Sequence, residues 1–357
     1  MIKLFDDNKN LVNLSNSILN YFNIPIYNPS LRELDEVLNN NKNRKIALIL
    51  LDGFGKYIQE EYKDYCPFIL GHKKEEITSI FPPTTVAATT ALMSGKYPCQ
   101  TGWFGWTEKI NTYPLPVLMF YSQMTDGKKI DEDTYSLFPY KSIIETINEN
   151  GYKAEMLHSF KFEEDIPSYF KRAEKVINNN DFSYIYHVQP DEYLHMYGVG
   201  SNKLNDIIKQ LDDSIKKLVI DNKDVLFITI ADHGHKNIKY CYVEEHIDFY
   251  DCLDCKIFSI EPRAASFHVK KDKIYEFYLL AKKYYDNKFY ILTKEEVINE
   301  HIFGYGDSSL IDKVVGDYLL ISKGEYGFNY KGSHELISQH AGSTMEERIL
   351  NLALYNC

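Results

Sequence analysis

The stretch Ile46-Ala47-Leu48-Ile49-Leu50-Leu51-Asp52-Gly53-Phe54-Gly55 is an unbroken apolar run stopped by an aspartate and two glycines. With no polar residue at alternate positions, it predicts a strand covered on both faces, as in a parallel sheet. Two later segments have the same form. Ser183-Tyr184-Ile185-Tyr186-His187-Val188-Gln189 runs into Pro190-Asp191, and Val225-Leu226-Phe227-Ile228-Thr229-Ile230-Ala231 runs into Asp232-His233-Gly234. Helical patterns over 140–150 and 203–219 separate the three. Strands alternating with helices imply right-handed crossovers, so the expected fold is α/β, a mostly parallel central sheet with helices on both faces. In such sheets ligands gather at the carboxyl ends of the strands. Here each apolar run delivers an aspartate to that end: Asp52, Asp191 and Asp232.

The rest of the chain sets limits on what those aspartates serve. Lys+Arg of 40 against Asp+Glu of 51 gives a net charge of −11 over 357 residues. A general nucleic-acid or anionic-membrane surface is therefore not expected, and the expected partner is a small molecule. Only five arginines occur (Arg32, Arg44, Arg172, Arg263 and Arg348), so a phosphate would be countered by metal ions rather than by a guanidinium clamp. The N-terminus lacks a basic flank followed by an apolar core, and no apolar run approaches the ~20 residues that span a bilayer. The six scattered cysteines suit a reducing compartment, and the expectation is a cytoplasmic protein. Cys241, His246, Cys252 and Cys255 have a spacing that matches no established zinc knot, so they are read as ordinary thiols. No feature of the sequence speaks to oligomeric state.

Residues 255–303 differ in texture. Short paired strands over 258–269, a helix over 273–285, a strand over 289–292 and a helix over 294–302 describe an inserted α+β cap. Residues 1–254 and 304–357 then form the core, which the chain re-enters as a strand near 317–322.

The chemistry-bearing residues cluster around that core. Phe81-Pro82-Pro83-Thr84-Thr85 ends an extended segment and opens a small-residue helix, about 85–93. A threonine there is an ordinary cap, yet the same helix start offers free N–H groups and a positive dipole to an anion. A threonine hydroxyl attacks only with help from a base or metal. Asp191 and His195 are four apart and share one face of a helix. His340 precedes Thr344-x-x-Glu347, a capping box for a final helix. Asp52, Asp191, Asp232, His195, His233 and His340 give three carboxylates and three imidazoles. Split in two sets, each leaves an open position, and the nitrogen–carboxylate mixture favours Zn²⁺, with Mn²⁺ as the second choice. His158, His187, His235 and His246 are read as structural or supporting. Phe54, Trp103, Phe104 and Trp106 flank the site and pack or stack on substrate. Arg263 either reaches substrate or makes a structural salt bridge.

The ordered set Asp52-Gly, Phe-Pro-x-Thr-Thr85, Pro-Asp191-x-x-x-His195, Asp232-His233-Gly and His340-x-Gly resembles the alkaline phosphatase superfamily. Within it the type I phosphodiesterase/nucleotide pyrophosphatase branch is the nearest, and the insertion is similar to caps in bacterial members. The resemblance implies an enzyme with two divalent ions. Asp191, His195 and His340 would hold one, Asp52, Asp232 and His233 the other, with Thr85 bridging to it as nucleophile. It implies hydrolysis of a phosphodiester or pyrophosphate through a phosphothreonine intermediate, with Phe54, Trp103 and Arg263 as candidate substrate contacts. Within the same superfamily the alternatives are a phosphonate hydrolase of the phosphonoacetate type, a phosphomonoesterase or a phosphomutase. The Asp-Ser nucleophile of the monoesterases and the Cys/Ser-x-Pro-x-Arg motif of the sulfatases are absent from the sequence. A non-enzymatic metal-binding protein would show degenerate ligands, and all six are present.

Overall fold

In the computed structural model, which describes residues 2–159 and 164–357, the three apolar runs lie side by side. They are β1 (Lys45–Leu51), β4 (Phe182–His187) and β5 (Val225–Ile230), with β1 between the other two and parallel to both. β2 (Lys73–Thr78), β3 (Ala154–His158) and β6 (Ile349–Tyr355) complete a six-stranded sheet in the order β2-β6-β5-β1-β4-β3. β3 is parallel to β4, while β6 is antiparallel to both β2 and β5. The sheet is thus mostly parallel, with an antiparallel margin. Every residue of β4 and β5, and all of β1 after Lys45, is buried. Each large aliphatic side chain so covered contributes roughly 1.5–3 kcal/mol relative to exposure. That is why the continuous apolar pattern, and not alternation, marks these strands.

β6 departs from expectation. The capping box at Thr344 and Glu347 is present, but its helix is a single turn, Met345–Arg348. The following Ile349–Tyr355 is a strand sandwiched between β2 and β5. Local capping starts the turn, and burial between two strands overrides helix propensity beyond it.

A second sheet of seven strands is antiparallel throughout. In spatial order it contains Phe289–Thr293, Tyr318–Ser322, Ala264–Phe267, Ser259–Glu261, Thr107–Glu108, Val117–Leu118 and Gln123–Met124. The expected cap supplies only three of these strands. Tyr318–Ser322, expected to rejoin the core, pairs instead with Phe289–Thr293 and Ala264–Phe267. The helix Ile274–Tyr285 buries Phe277, Ala281 and Tyr285 in a second apolar cluster with Phe249, Phe267 and Phe328. All six cysteines are free. Cys252 Sγ donates to Asp248 O and Cys255 Sγ to Ile257 O, as isolated thiols do.

Candidate active site

Three loops leave the same edge of the sheet at β1, β4 and β5 and are tied by main-chain bonds. Asp52 N donates to His187 O at 3.0 Å, and Asp191 N donates to Asp52 O at 3.1 Å. The first and third loops approach backbone to backbone: a Cβ on Gly55 would stand 2.7 Å from Gly234 Cα. Only hydrogen fits there, which explains the glycines following Asp52 and Asp232. Ala341 N donates to Pro83 O at 3.0 Å, so the His340 loop closes on the turn that precedes Thr85. Ala341 itself has φ +79°, a left-handed backbone unusual for a residue with a Cβ.

The Thr85 helix spans Thr85–Ser94, with Thr84 as its N-cap residue. Thr84 does not cap it through its side chain. Its hydroxyl donates instead to Glu261 Oε1 at 2.6 Å. The first turn therefore keeps free N–H groups, and Thr85 Oγ1 lies 3.2 Å from His233 Nε2 and 3.4 Å from Asp52 Oδ1. Asp191 and His195 are on the helix Asp191–Tyr197, as the four-residue spacing predicts, with 3.5 Å between Oδ1 and Nε2.

Two groups of donor atoms converge within 4.8 Å of one another: Asp52, Asp232 and His233, and Asp191, His233, His235 and His340. His195 adjoins the second group through Asp191. His235, read from sequence as supporting, is inside it, with Nε2 2.6 Å from Asp191 Oδ1. The one sequence signal was its place on the same tight turn as Asp232 and His233, which brings it near but does not show where its ring points.

Hydrogen bonding orients these rings. His233 Nδ1 donates to Gly234 O at 3.2 Å and His195 Nδ1 to Ser338 O at 2.8 Å. Ser338 Oγ gives its one proton to Leu194 O, so His235 Nδ1 must donate to Ser338 Oγ at 3.0 Å. With Nδ1 so engaged, all three rings turn Nε2 toward carboxylate oxygens. Imidazoles held through Nδ1 beside carboxylates are how proteins present metal ligands.

The carboxylates point the same way. Burial pushes Asp52 well above the usual carboxylate range, and Asp232 and Asp191 add to it by repulsion; a hydrogen bond from Tyr186 OH opposes both. Burial also raises Asp232, whose Oδ2 has no hydrogen-bond partner. Burial would raise Asp191 too, but His195, His235 and His340 reverse it and hold the carboxyl below its ordinary value. Burial and the neighbouring imidazoles keep His340 neutral, far below the usual histidine range. Buried carboxylates that repel one another beside imidazole Nε2 atoms fit divalent cations, which would relieve the burial and repulsion penalties.

The candidate substrate contacts fare differently. Arg263 is completely buried and pairs with Glu347 through Nε at 2.6 Å and Nη2 at 2.8 Å. Two more of its five N–H donors go to Tyr326 O and Gly324 O. It is the structural salt bridge, not a substrate contact. Trp103 is buried with Nε1 on Phe138 O, and Phe54 is 1% exposed, so both are core. Trp106 is the aromatic left in the open, at 38% exposure.

A mostly parallel α/β sheet with carboxylates and imidazoles clustered at its carboxyl edge, beside a helix-start hydroxyl, defines the class: an α/β protein with a candidate metal-binding cluster. The type I phosphodiesterase/nucleotide pyrophosphatase family matches residues 46–344, and the chain belongs to that family. This places it among phosphoester hydrolases and bears out the alkaline phosphatase-like fold. Murine ectonucleotide pyrophosphatase/phosphodiesterase 5 superposes with a TM-score of 0.68 at 14% identity, over 87% of this chain and 88% of that one. The human protein gives 0.64 at 15% identity over the same shares. Phosphonoacetate hydrolase from Sinorhizobium meliloti 1021, in complex with phosphonoformate, gives 0.65 at 13% over 87% and 89%. No curated protein sequence matches the chain. Among the described residues no helix is long and apolar enough to cross a membrane.

Proposed function

We propose that the protein hydrolyses phosphodiester or pyrophosphate bonds with Thr85 Oγ1 as nucleophile. The observation that carries this is the uncapped start of the Thr85 helix, where the hydroxyl faces Asp52 and His233. Asp52, Asp232 and His233 would hold one divalent cation, and Asp191, His340 and His195, with His235, a second. Zn²⁺ suits these donors best. When bound, the cations would supply positive charge for the attacking and leaving oxygens. The protein's own part is positional. Thr85 Oγ1 forms a bond to phosphorus while the ester P–O bond breaks, and the departing oxygen ends protonated from solvent. The hydroxyl proton has acceptors within 3.4 Å at His233 Nε2 and Asp52 Oδ1. The N–H groups at the helix start stabilise the non-bridging oxygens, a contribution of roughly 2–4 kcal/mol by analogy with oxyanion donors. Water then attacks phosphorus, the Thr85 O–P bond breaks and the hydroxyl is regenerated. Thr85→Ala should keep fold and metal content yet lose about 10³-fold or more in turnover; undiminished turnover would rule Thr85 out. A phosphonate substrate is the second reading, because a phosphonoacetate hydrolase shares the fold. A panel of diester, monoester, phosphonate and sulfate substrates separates the two, and diester rates well below monoester rates would overturn the ranking.

A further inference from the structure

Glu261 is 177 residues from Thr84 in sequence and lies buried beside the start of the Thr85 helix. We propose that it is a positioning residue, drawing the Thr84 hydroxyl off that helix start and so keeping the first-turn N–H groups open to the phosphate, an inference that rests on the hydrolytic reading above. Three observations carry it. The first is the backbone of Thr84. At φ −139° and ψ 148° it has the extended conformation of an N-cap residue, yet its side chain makes no cap hydrogen bond. The groups this leaves over are the N–H of Val86 and of Ala87, which an N-cap hydroxyl ordinarily takes. The second is what holds the hydroxyl away. Thr84 Oγ1 donates to Glu261 Oε1 at 2.6 Å, and the same oxygen accepts from Trp106 N at 2.9 Å. Both donors are neutral, and burial pushes the carboxyl up to about 7. The contact does not depend on charge, because an ionised or a protonated carboxyl keeps an oxygen that accepts from both.

The third is how firmly that oxygen is seated. Glu261 ends the strand Ser259–Glu261, where Ile260 pairs with Thr107 and has φ +75°, a left-handed backbone costly for a β-branched residue. A Cβ on Gly105 would stand 2.8 Å from Ile260 O, so the two segments meet backbone to backbone. Trp106 follows Gly105, and its main-chain N–H fixes the carboxyl in place. The Thr84 hydroxyl thus has a fixed acceptor on one side and free N–H groups on the other. Its χ1 chooses between staggered wells, and removing the acceptor turns it to the cap.

The test is calorimetric titration of metal-loaded protein with inorganic phosphate. Metal content is measured on each variant, and hydrolysis of bis(4-nitrophenyl) phosphate is followed in parallel. Glu261→Met removes the acceptor and should weaken phosphate binding by about tenfold or more at unchanged metal content, as loss of one hydrogen bond to a charged group does. Glu261→Gln keeps an Oε1 that accepts from both donors and should stay within about threefold of wild type. Thr84→Val removes the hydroxyl on a chain that keeps Glu261 and its seat, and its phosphate affinity should also stay within about threefold. Combined with Glu261→Met, it should restore what Glu261→Met alone loses, which a merely structural glutamate would not allow. Unchanged affinity in Glu261→Met, a loss that persists in the double variant, or a loss of about tenfold in Thr84→Val each overturns the inference. Wild-type protein that gives this binding pattern without hydrolysing the diester would count against the hydrolytic reading and not against Glu261.

Discussion

Replacing Arg263 with methionine keeps most of the aliphatic stem and deletes the guanidinium. Glu347 would then be buried with bonds from Gly342 N, Thr344 N and Thr344 Oγ1 but no counter-charge. Tyr326 O and Gly324 O would lose their donor. Burial would raise the Glu347 carboxyl, and Arg263 is what holds it below the ordinary range instead. Breaking one side of a buried pair costs about 3–5 kcal/mol. Over 357 residues, at roughly 2.1 cal/mol/K per residue, that lowers Tm by about 4–7 °C. The effect should reach the site only through the backbone, because Glu347 shapes the loop behind His340 and its carbonyl accepts from Gly234 N. Calorimetry of the metal-loaded variant, with KM and kcat measured below the transition, should show the loss of Tm with KM within about threefold of wild type. Arg263→Met combined with Glu347→Leu should lose less than the sum of the single losses, since the uncompensated charge is gone. An unchanged Tm with a KM raised more than tenfold would refute the structural assignment and restore Arg263 as a substrate contact.

Two further outcomes follow from the site and its surroundings. His235→Gln should weaken metal binding by about 10- to 100-fold in a competition titration against a chromophoric chelator; unchanged affinity would return His235 to a packing role. His187 is buried against Tyr169 and Phe170, its Nδ1 accepts from Gln189 N, and burial pushes it down to about 4. A depressed folded pKa means its contribution is intact above the unfolded value of about 6.5 and is lost as pH falls through the folded one. The loss should come to about 3 kcal/mol between pH 6.5 and 4. Urea denaturation across that range should therefore give a shallower pH dependence for His187→Phe than for wild type, and parallel curves would dismiss the residue as a titrating group.

The three central strands were readable because each is buried on both faces and so carries no polar interruption. Their aspartates were readable because ligands collect where such strands end. β2, Lys-Lys-Glu-Glu-Ile-Thr, lies at the sheet margin with three of its residues exposed, and nothing in its composition marks a strand. β6 looked like a helix because the capping box at Thr344 is a local signal, whereas the two strands that flank it come from residues 73–78 and 225–230. The second sheet was underestimated for a similar reason. Its strands at 107–124 and 318–322 meet only through pairings that no local pattern encodes.

The site divides along the same line. Asp191 and His195 share a helix, and Asp232 and His233 share a turn, so local spacing brought each pair together on paper. His235 escaped because spacing cannot show where an imidazole points. Its direction is set by Ser338, 103 residues away, whose only proton is already given to Leu194 O. For Arg263 the sequence admitted a salt bridge but could not name its partner, which is 84 residues distant. Both cases turn on counting donors and acceptors once the fold is known, and the same count separates two roles for the paired threonines. Thr84 spends its hydroxyl on Glu261, and in doing so leaves the helix start uncapped. Thr85 then faces Asp52 and His233 with free N–H groups behind it. A hydroxyl that capped its own helix would have taken one of those N–H groups, so the turn of Thr84 toward Glu261 leaves the helix start more open to an anion, as the proposed reaction requires.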